Sequence, residues 1–396
     1  MSSPLPPLRL KKQEDRRLRT GHLWIYSNEV DTKITPLTAF EAGDLVQVED
    51  HRGQPLGTAY VNSRSLISAR LLTRRNVQPD QVWFKHRLQQ ALALRENLFA
   101  DPCYRLIYGE SDGLPGLVVD RFGPYLVVQI TTAGMERMKE MVITGLTELL
   151  NPAGILLRND SSAREQEGLP LYSETVSGNI PDETEVIENG ISFTVPLLTA
   201  QKTGWYYDHR LNRSRMTHYV KDKRVLDVFC YAGAWGVQAL QAGAKSVSFI
   251  DASARFTDVA KQNAQRYGKP EQITALSGDA FEMMKGLQDD KQQFDVIILD
   301  PPAFIKRRKD IKAGMTAYHR ANQQAFALLA QDGVLITASC SHHLAADQLW
   351  QTARKAAGTQ LVQILEQGYQ GPDHPIHAAM PETAYLKAFF CRPLSG

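Results

Sequence analysis

Cys340 stands in Ala338-Ser339-Cys340-Ser341-His342-His343, at the end of a run, Gly333 to Ser339, that reads as a strand. Thiolates add to electron-poor carbon, and buried cysteines favour strand middles over polar ends of this kind. The plainer reading is a small buried hydrophobe. Asp227, Asp251 and Asp279 lie at the ends of three successive strand-like runs, and Asp300 closes a fourth. An acid in the position of Asp251 can accept hydrogen bonds from both hydroxyls of a ribose, while acids in such places, Asp279 above all, also serve as helix N-caps. Between the first strand and its helix lies Asp227-Val228-Phe229-Cys230-Tyr231-Ala232-Gly233-Ala234-Trp235-Gly236. Its glycines would let a ligand approach the backbone, although a tight turn needs glycine in any case. In Asp300-Pro301-Pro302-Ala303-Phe304 the prolines pin an extended backbone and the aromatic ring can stack on a flat base. Lys306-Arg307-Arg308-Lys309 follows at once, a basic run of the kind that is usually a solvated face and can also meet the phosphates of a polyanion.

These residues need a scaffold that brings strand ends together. From Arg224 the sequence alternates strand and helix: strands Arg224 to Phe229, Ser246 to Asp251, Gln272 to Leu276, Phe294 to Asp300 and Gly333 to Ser339. Helices Ala234 to Ala242, Ser253 to Tyr267, Ala280 to Leu287 and Gly314 to Ala330 fall between them. Units this short predict an α/β fold, a doubly wound, mostly parallel sheet that binds ligands at the carboxyl ends of its strands. Residues 1–75 read instead as a small β-rich domain, with strands Asp44 to Glu49, Leu56 to Val61 and Leu66 to Leu72. Residues 76–195 read as an α+β middle domain. It has helices Val82 to Phe99 and Met135 to Leu150, strands Arg105 to Tyr108, Leu117 to Asp120, Tyr125 to Ile130 and Ile155 to Arg158, and a closing hairpin turned at Asn189-Gly190. Residues 196–396 form the third expected domain.

Composition limits the classes. Of 396 residues, 43% are hydrophobic and 22% charged, ordinary values for a globular protein. No apolar run reaches spanning length and the prolines at the start do not read as a signal peptide, so a cytoplasmic protein without a membrane partner is expected. Cys103, Cys230, Cys340 and Cys391 are far apart and form no CxxC pair, which indicates neither a disulfide framework nor a metal site. Charge is uneven: 12 basic against 8 acidic residues over 1–75, 9 against 17 over 76–200, and 24 against 18 over 201–396. Basic outer segments, with Arg9, Lys11, Lys12, Arg16, Arg17 and Arg19 clustered at the start, suit a polyanionic partner.

Taken together, Asp227 to Gly236, Asp251, Asp279 and Asp300 to Phe304 resemble the S-adenosylmethionine-dependent Rossmann methyltransferases whose fourth motif is DPPxF. Gln201-Lys202-Thr203-Gly204-Trp205-Tyr206-Tyr207-Asp208-His209-Arg210 resembles the segment that precedes the fold in that branch. The whole-chain arrangement is similar to bacterial enzymes that make 5-methylcytosine in 23S ribosomal RNA, in which the start, with Trp24-Ile25 and Gly43-Asp44, corresponds to a PUA RNA-binding domain. The resemblance implies S-adenosyl-L-methionine as cofactor, held by Asp227, Phe229, Tyr231, Gly233, Gly236, Asp251, Asp279, Asp300 and Pro301 with Asp208 and Arg210. It implies Cys340 as the nucleophile that adds to C6 of cytosine, with Asp300 assisting. RNA contact is expected from Lys11, Lys12, Arg16, Arg17, Phe304, Lys306, Arg307, Arg308 and Lys309. Ala303 departs from the commoner RNA cytosine-C5 pattern, which has a second cysteine there, so the group that removes the C5 proton stays open. Two rival classes remain: an amino-group RNA methyltransferase, which needs no thiol, and a noncatalytic RNA-binding assembly factor. The oligomeric state, a homodimer included, is not set by the sequence.

Overall fold

Alternation in the first domain translates directly into a sheet. In Leu45–Glu49 the side chains of Val46 and Val48 are fully buried while Leu45, Gln47 and Glu49 are half-exposed. The computed structural model describes residues 4–200 and 202–394, which leaves Gln201 of the motif above outside the described residues. The sheet runs in the order Pro7–Arg9, Leu45–Glu49, Pro55–Val61, Ile67–Thr73, Trp24–Tyr26. Its two edge strands have three residues each, too short for a periodic signal.

A second five-stranded sheet follows, ordered Tyr172–Gly178, Gly154–Asn159, Tyr125–Ile130, Leu117–Phe122, Cys103–Tyr108. Helix Gln81–Leu98 packs on it, its N-terminus capped by Asp80, which accepts from Trp83 N–H at 2.8 Å. The single helix expected over Met135 to Leu150 is two, Ala133–Arg137 and Lys139–Leu150, because the Met138 N–H bonds back to Met135 O in a tighter turn.

Both sheets belong to one compact unit, composed of Met1–Val186, Pro196–Tyr207 and Pro372–Thr383. Polar side chains knit the sheets together. The buried Tyr60 hydroxyl donates to Pro115 O at 3.0 Å, Arg70 pairs with Glu167 at 2.9 Å, and Asn62 Nδ2 donates to Glu167 Oε2 at 2.8 Å. A Cβ at Gly134 would collide with the Tyr60 ring, so only glycine permits this approach. The expected boundary at residue 75 is therefore a change of sheet within one unit. Residues 372–383 are tied in by Asp373, whose carbonyl accepts from Arg95 Nη2 at 2.8 Å and whose Oδ2 accepts from Arg105 N–H at 3.1 Å.

The other unit, Ile187–Val195, Asp208–Gly371 and Ala384–Gly396, holds the alternating pattern. Its elements are β1 (Arg224–Val228), α1 (Ala234–Gln241), β2 (Ser246–Asp251), α2 (Ala254–Gln265), β3 (Ile273–Ser277), α3 (Ala280–Asp289), β4 (Phe294–Leu299), α4 (Ile311–Leu328), β5 (Leu329–Ser339), α5 (Ala346–Ala356), β6 (Val362–Gly368) and β7 (Lys387–Pro393). The sheet order is β3-β2-β1-β4-β5-β7-β6, with β1 to β5 parallel and β7 antiparallel to both neighbours. Helices cover both faces of the central strands, which is why β4 reads as a near-continuous apolar run. Strand order reverses between β1 and β4. A crevice opens outside the carboxyl ends of strands at such a reversal, so Asp227 to Gly236 and Asp300 to Phe304 lie at its rim. Helix α5 and strand β6, unanticipated from the sequence, complete the sheet's other edge.

Candidate active site

The turn after β1 is strained. Phe229 and Tyr231 have φ of 66° and 48°, and Gly233 has 82°. Non-glycine residues rarely adopt positive φ, and such strain persists only where surrounding bonds enforce it. Here Phe229 N–H and Cys230 N–H both donate to Ile250 O, at 2.8 and 3.0 Å, and Tyr231 N–H donates to Asp251 Oδ2 at 3.0 Å. Asp227 is fully buried beneath the turn. Its Oδ2 accepts from Gly236 N–H at 2.9 Å, whereas Oδ1 has no protein partner among the described residues. Burial pushes the Asp227 carboxyl up to about 7; the charges of Asp300 and Asp251 add to the rise, and the Gly236 N–H and Arg213 oppose it.

A side chain on either glycine of this turn would face protein. A Cβ on Gly233 would lie 2.9 Å from Ala260 Cβ, and one on Gly236 would collide with the Phe249 ring. They allow α1 to pack closely on β2 and α2. Asp251 is half-exposed at the end of β2, where Oδ1 accepts from Ser253 N–H at 2.9 Å and Oδ2 from Tyr231 N–H. Asp279 is exposed and caps α3, with Oδ1 accepting from the N–H groups of Phe281 and Glu282 at 3.0 and 3.2 Å, so its Oδ1 does the bland job the sequence also allowed. Asp208 is buried and accepts from the Tyr385 hydroxyl at 2.6 Å, and buried Arg210 opens the short helix Arg210–Met216.

At the end of β4, Asp300 is engaged through both oxygens. Oδ1 lies 3.1 Å from His209 Nε2 and Oδ2 accepts from Trp235 Nε1 at 3.1 Å. Burial alone would raise its pKa, but the charge and hydrogen bond of His209 together with the Trp235 indole N–H outweigh it and hold the carboxyl below its usual value. His209 and Trp235, whose rings are 5.2 Å apart, lie inside motifs legible in the sequence, yet nothing in those motifs assigns them this role. Pro301 is buried. Phe304 is partly buried and packs against Tyr318, Phe229 and Phe281 at centroid distances of 4.8, 6.2 and 6.2 Å. The adjoining Lys306, Arg307, Arg308 and Lys309 are all exposed, and Arg307 alone of them forms an ion pair, with Asp310 at 3.2 Å, among the described residues.

Cys340 immediately follows β5 and is the one half-exposed cysteine among the described residues; Cys103, Cys230 and Cys391 are 3%, 3% and 1% exposed. Serines buried on either side brace it. The Tyr318 hydroxyl lies 2.8 Å from Ser339 Oγ and 2.9 Å from Ser341 Oγ, and Ser341 Oγ accepts from Ile305 N–H at 3.3 Å. Nearby, Lys387 opens β7 directly opposite Ser339, buried and unforeseen in the sequence because a single lysine in a strand carries no periodic signal.

In the first unit the basic cluster divides. Lys12 and Arg16 are exposed, and Lys11, also exposed, donates to Asn28 O at 2.7 Å. Arg17 is partly exposed, pairs with Glu29 at 2.5 Å and lies over the Tyr26 ring.

Known proteins share this arrangement. Residues 8–74 match the PUA-like domain family and residues 170–391 the S-adenosylmethionine-dependent methyltransferase family. Ribosomal RNA large subunit methyltransferase I of Klebsiella pneumoniae (strain 342) is 36% identical over 401 residues, covering 98% of this chain and 99% of its own length. The protein of the same name from Aliivibrio fischeri (strain MJ11) is 37% identical over 392 residues, covering 97% and 98%. A solved methyltransferase structure from Streptococcus mutans superposes with a TM-score of 0.83 at 20% identity, over 98% of this chain and 100% of that one, a likeness of fold. By full-length identity and by its domains, the chain belongs to the ribosomal RNA large subunit methyltransferase I family of S-adenosylmethionine-dependent methyltransferases.

Proposed function

We propose that this chain methylates C5 of a cytosine in 23S ribosomal RNA, the position numbered 1962, with Cys340 as the attacking nucleophile. The observation that carries the reading is the half-exposed thiol at the carboxyl end of β5, in a unit whose other cysteines are sealed. The neighbouring residues fit the cofactor. Asp251 spends one lone pair of each oxygen on a backbone N–H and keeps others for ribose hydroxyls, and the buried Asp227 Oδ1 is an acceptor with no protein partner among the described residues. When bound there, S-adenosylmethionine supplies an electrophilic methyl group on its sulfonium.

C5 of cytosine is a poor nucleophile until a thiolate has added to C6. The Cys340 sulfur forms that bond and places electron density on C5. Once C5 carries the methyl group, a base removes the C5 proton, the sulfur–C6 bond breaks with its electron pair returning to sulfur, and the ring regains its conjugation. Asp300 is tied at both oxygens and held ionised, a state suited to accepting a hydrogen bond from the exocyclic amine of the base rather than to taking up a proton. Lys11, Lys12, Arg16 and the loop Lys306 to Lys309 supply charge for the RNA backbone.

Labelled methyl transfer to ribosomal RNA followed by nucleoside analysis tests the base and position. RNA with 5-fluorocytidine at the target tests the chemistry, since fluorine cannot leave as a proton and the protein should remain covalently attached. An amino-group methyltransferase would give methylated exocyclic nitrogen and no adduct, and that outcome would overturn the reading.

A further inference from the structure

Lys387 is 6% exposed, and its Nζ turns back beneath the segment that carries Cys340. It donates to Ser341 O at 2.5 Å and to Tyr385 O at 2.9 Å, while its own backbone pairs in register with Ser339. The residues before and after Cys340 are thus both bound to one lysine. Neither acceptor is charged. A buried ammonium held only by carbonyl groups is costly unless a negative charge comes near it, and two of its three donors are already spent on pinning the turn.

Other titratable groups around this turn do not supply that charge. Tyr318 bonds Ser339 and Ser341 from α4, and burial raises its pKa. The Tyr385 hydroxyl donates a hydrogen bond to Asp208 Oδ2, and the His342 ring lies 5.4 Å from that of Tyr385. Asp300 is occupied by His209 and Trp235. Burial brings Lys387 down to about 8, with the charge on Cys340 pulling the other way. The lysine is therefore protonated at neutral pH, and the two groups favour each other's ionised forms.

We propose that Lys387 is a positioning residue for the nucleophile: it fixes the Ser339–Ser341 turn and supplies the positive charge that stabilises the Cys340 thiolate. The inference rests on the reading of Cys340 as the nucleophile, but it is tested without catalysis. The thiolate is the form that reacts with iodoacetamide, and Cys340 is the accessible thiol, so the pH profile of its alkylation in the full-length protein, followed by peptide mass, reads its ionisation directly.

Lys387→Gln keeps two N–H donors for the same carbonyls and removes the charge. Its alkylation midpoint should move to higher pH by about one unit, making the reaction about tenfold slower at pH 7. Lys387→Arg, which keeps the charge, should restore most of the difference, and circular dichroism establishes that both variants are folded. If Lys387→Gln does not fold, wild type against Lys387→Arg decides: an arginine stays charged, so its profile should lack the loss of thiolate stabilisation that wild type shows as Lys387 deprotonates near pH 8. Superimposable profiles of wild type and Lys387→Gln overturn the proposal, and so, where only Lys387→Arg folds, does an arginine profile that keeps the wild-type loss of thiolate stabilisation near pH 8. Normal methylation by Cys340→Ala would instead overturn the nucleophile, while leaving the alkylation profile to report on Lys387, so the two failures are distinct.

Discussion

Cys230 and Cys340 each follow a parallel strand of the same sheet, β1 and β5, yet their surroundings are opposite. Cys230 is 3% exposed, and burial, reinforced by the carboxylates of Asp227 and Asp251, pushes its thiol well above the ordinary value. Cys340 is half-exposed, braced by two serines, with a buried ammonium beneath. Position at a strand end does not make a cysteine reactive. Access and the sign of the local charge do, and the β1 end is an acidic environment while the β5 end is a basic one.

The largest effect that would break this contrast lies in the cysteines themselves. Cys340→Ala should lower methyl transfer on the order of 10³-fold or more and abolish the fluorocytidine adduct, whereas Cys230→Ala should retain both. Near-normal product from Cys340→Ala in a labelled-methyl assay would make the two residues equivalent and the contrast empty.

The acidic character of the β1 end predicts a pH dependence. Folded Asp227 holds its proton up to about pH 7 and the unfolded chain releases it near 4, so between these values the folded state binds more protons. Its contribution to stability should accordingly be full below about pH 4 and fall by up to about 4 kcal/mol as pH rises to 7. Asp227→Asn should flatten that slope in denaturant titrations of the ligand-free protein. An unchanged slope would mean that Asp227 ionises normally.

A smaller effect separates holding from reacting. Asp251→Ala should weaken S-adenosylmethionine binding by about 1.5–3 kcal/mol, the worth of hydrogen bonds to a charged group, and leave Cys340 alkylation untouched. Calorimetry finding wild-type affinity would remove Asp251 from the cofactor site. The smallest change concerns the basic runs. Neutralising Lys306 to Lys309 should reduce the log-log salt slope of RNA binding by about 0.7–0.9 for every phosphate that the loop had neutralised. Arg17→Ala, which breaks the ion pair with Glu29, should leave the slope alone and lower stability. Equal slopes for the wild type and the loop variant would exclude the loop from the RNA surface.

The fold was legible where pattern is dense. Strands β1 to β5 were placed to within a residue or two at most ends, apart from the start of β5, because their apolar runs are bounded by helices of clear period. The edge strand β6 was missed because its side chains are mostly exposed, which leaves little apolar pattern to read. Within the candidate site, Cys340 and the acids are marked in the sequence by residue type and neighbours. His209, Trp235 and Lys387 are not, since each acts through a contact across the fold, to Asp300 or to Ser341, that no local spacing encodes. The glycines show a related limit: a turn that admits a ligand and a turn that admits a helix have the same sequence, and the packing neighbours Ala260 and Phe249 are brought up only by the fold.

The thread through Asp373 has a bearing on how the chain comes into being. The first unit takes most of its mass from residues up to 207 but is finished by Pro372–Thr383, whose Asp373 receives Arg95 and Arg105. During synthesis at about 5–20 residues per second, the polypeptide that fills this place appears on the order of ten seconds or more after the rest of the unit. Throughout that interval the buried guanidinium of Arg95 has Asp112 but not Asp373, so the nascent body must persist with one polar socket open until residues 372–383 have been made.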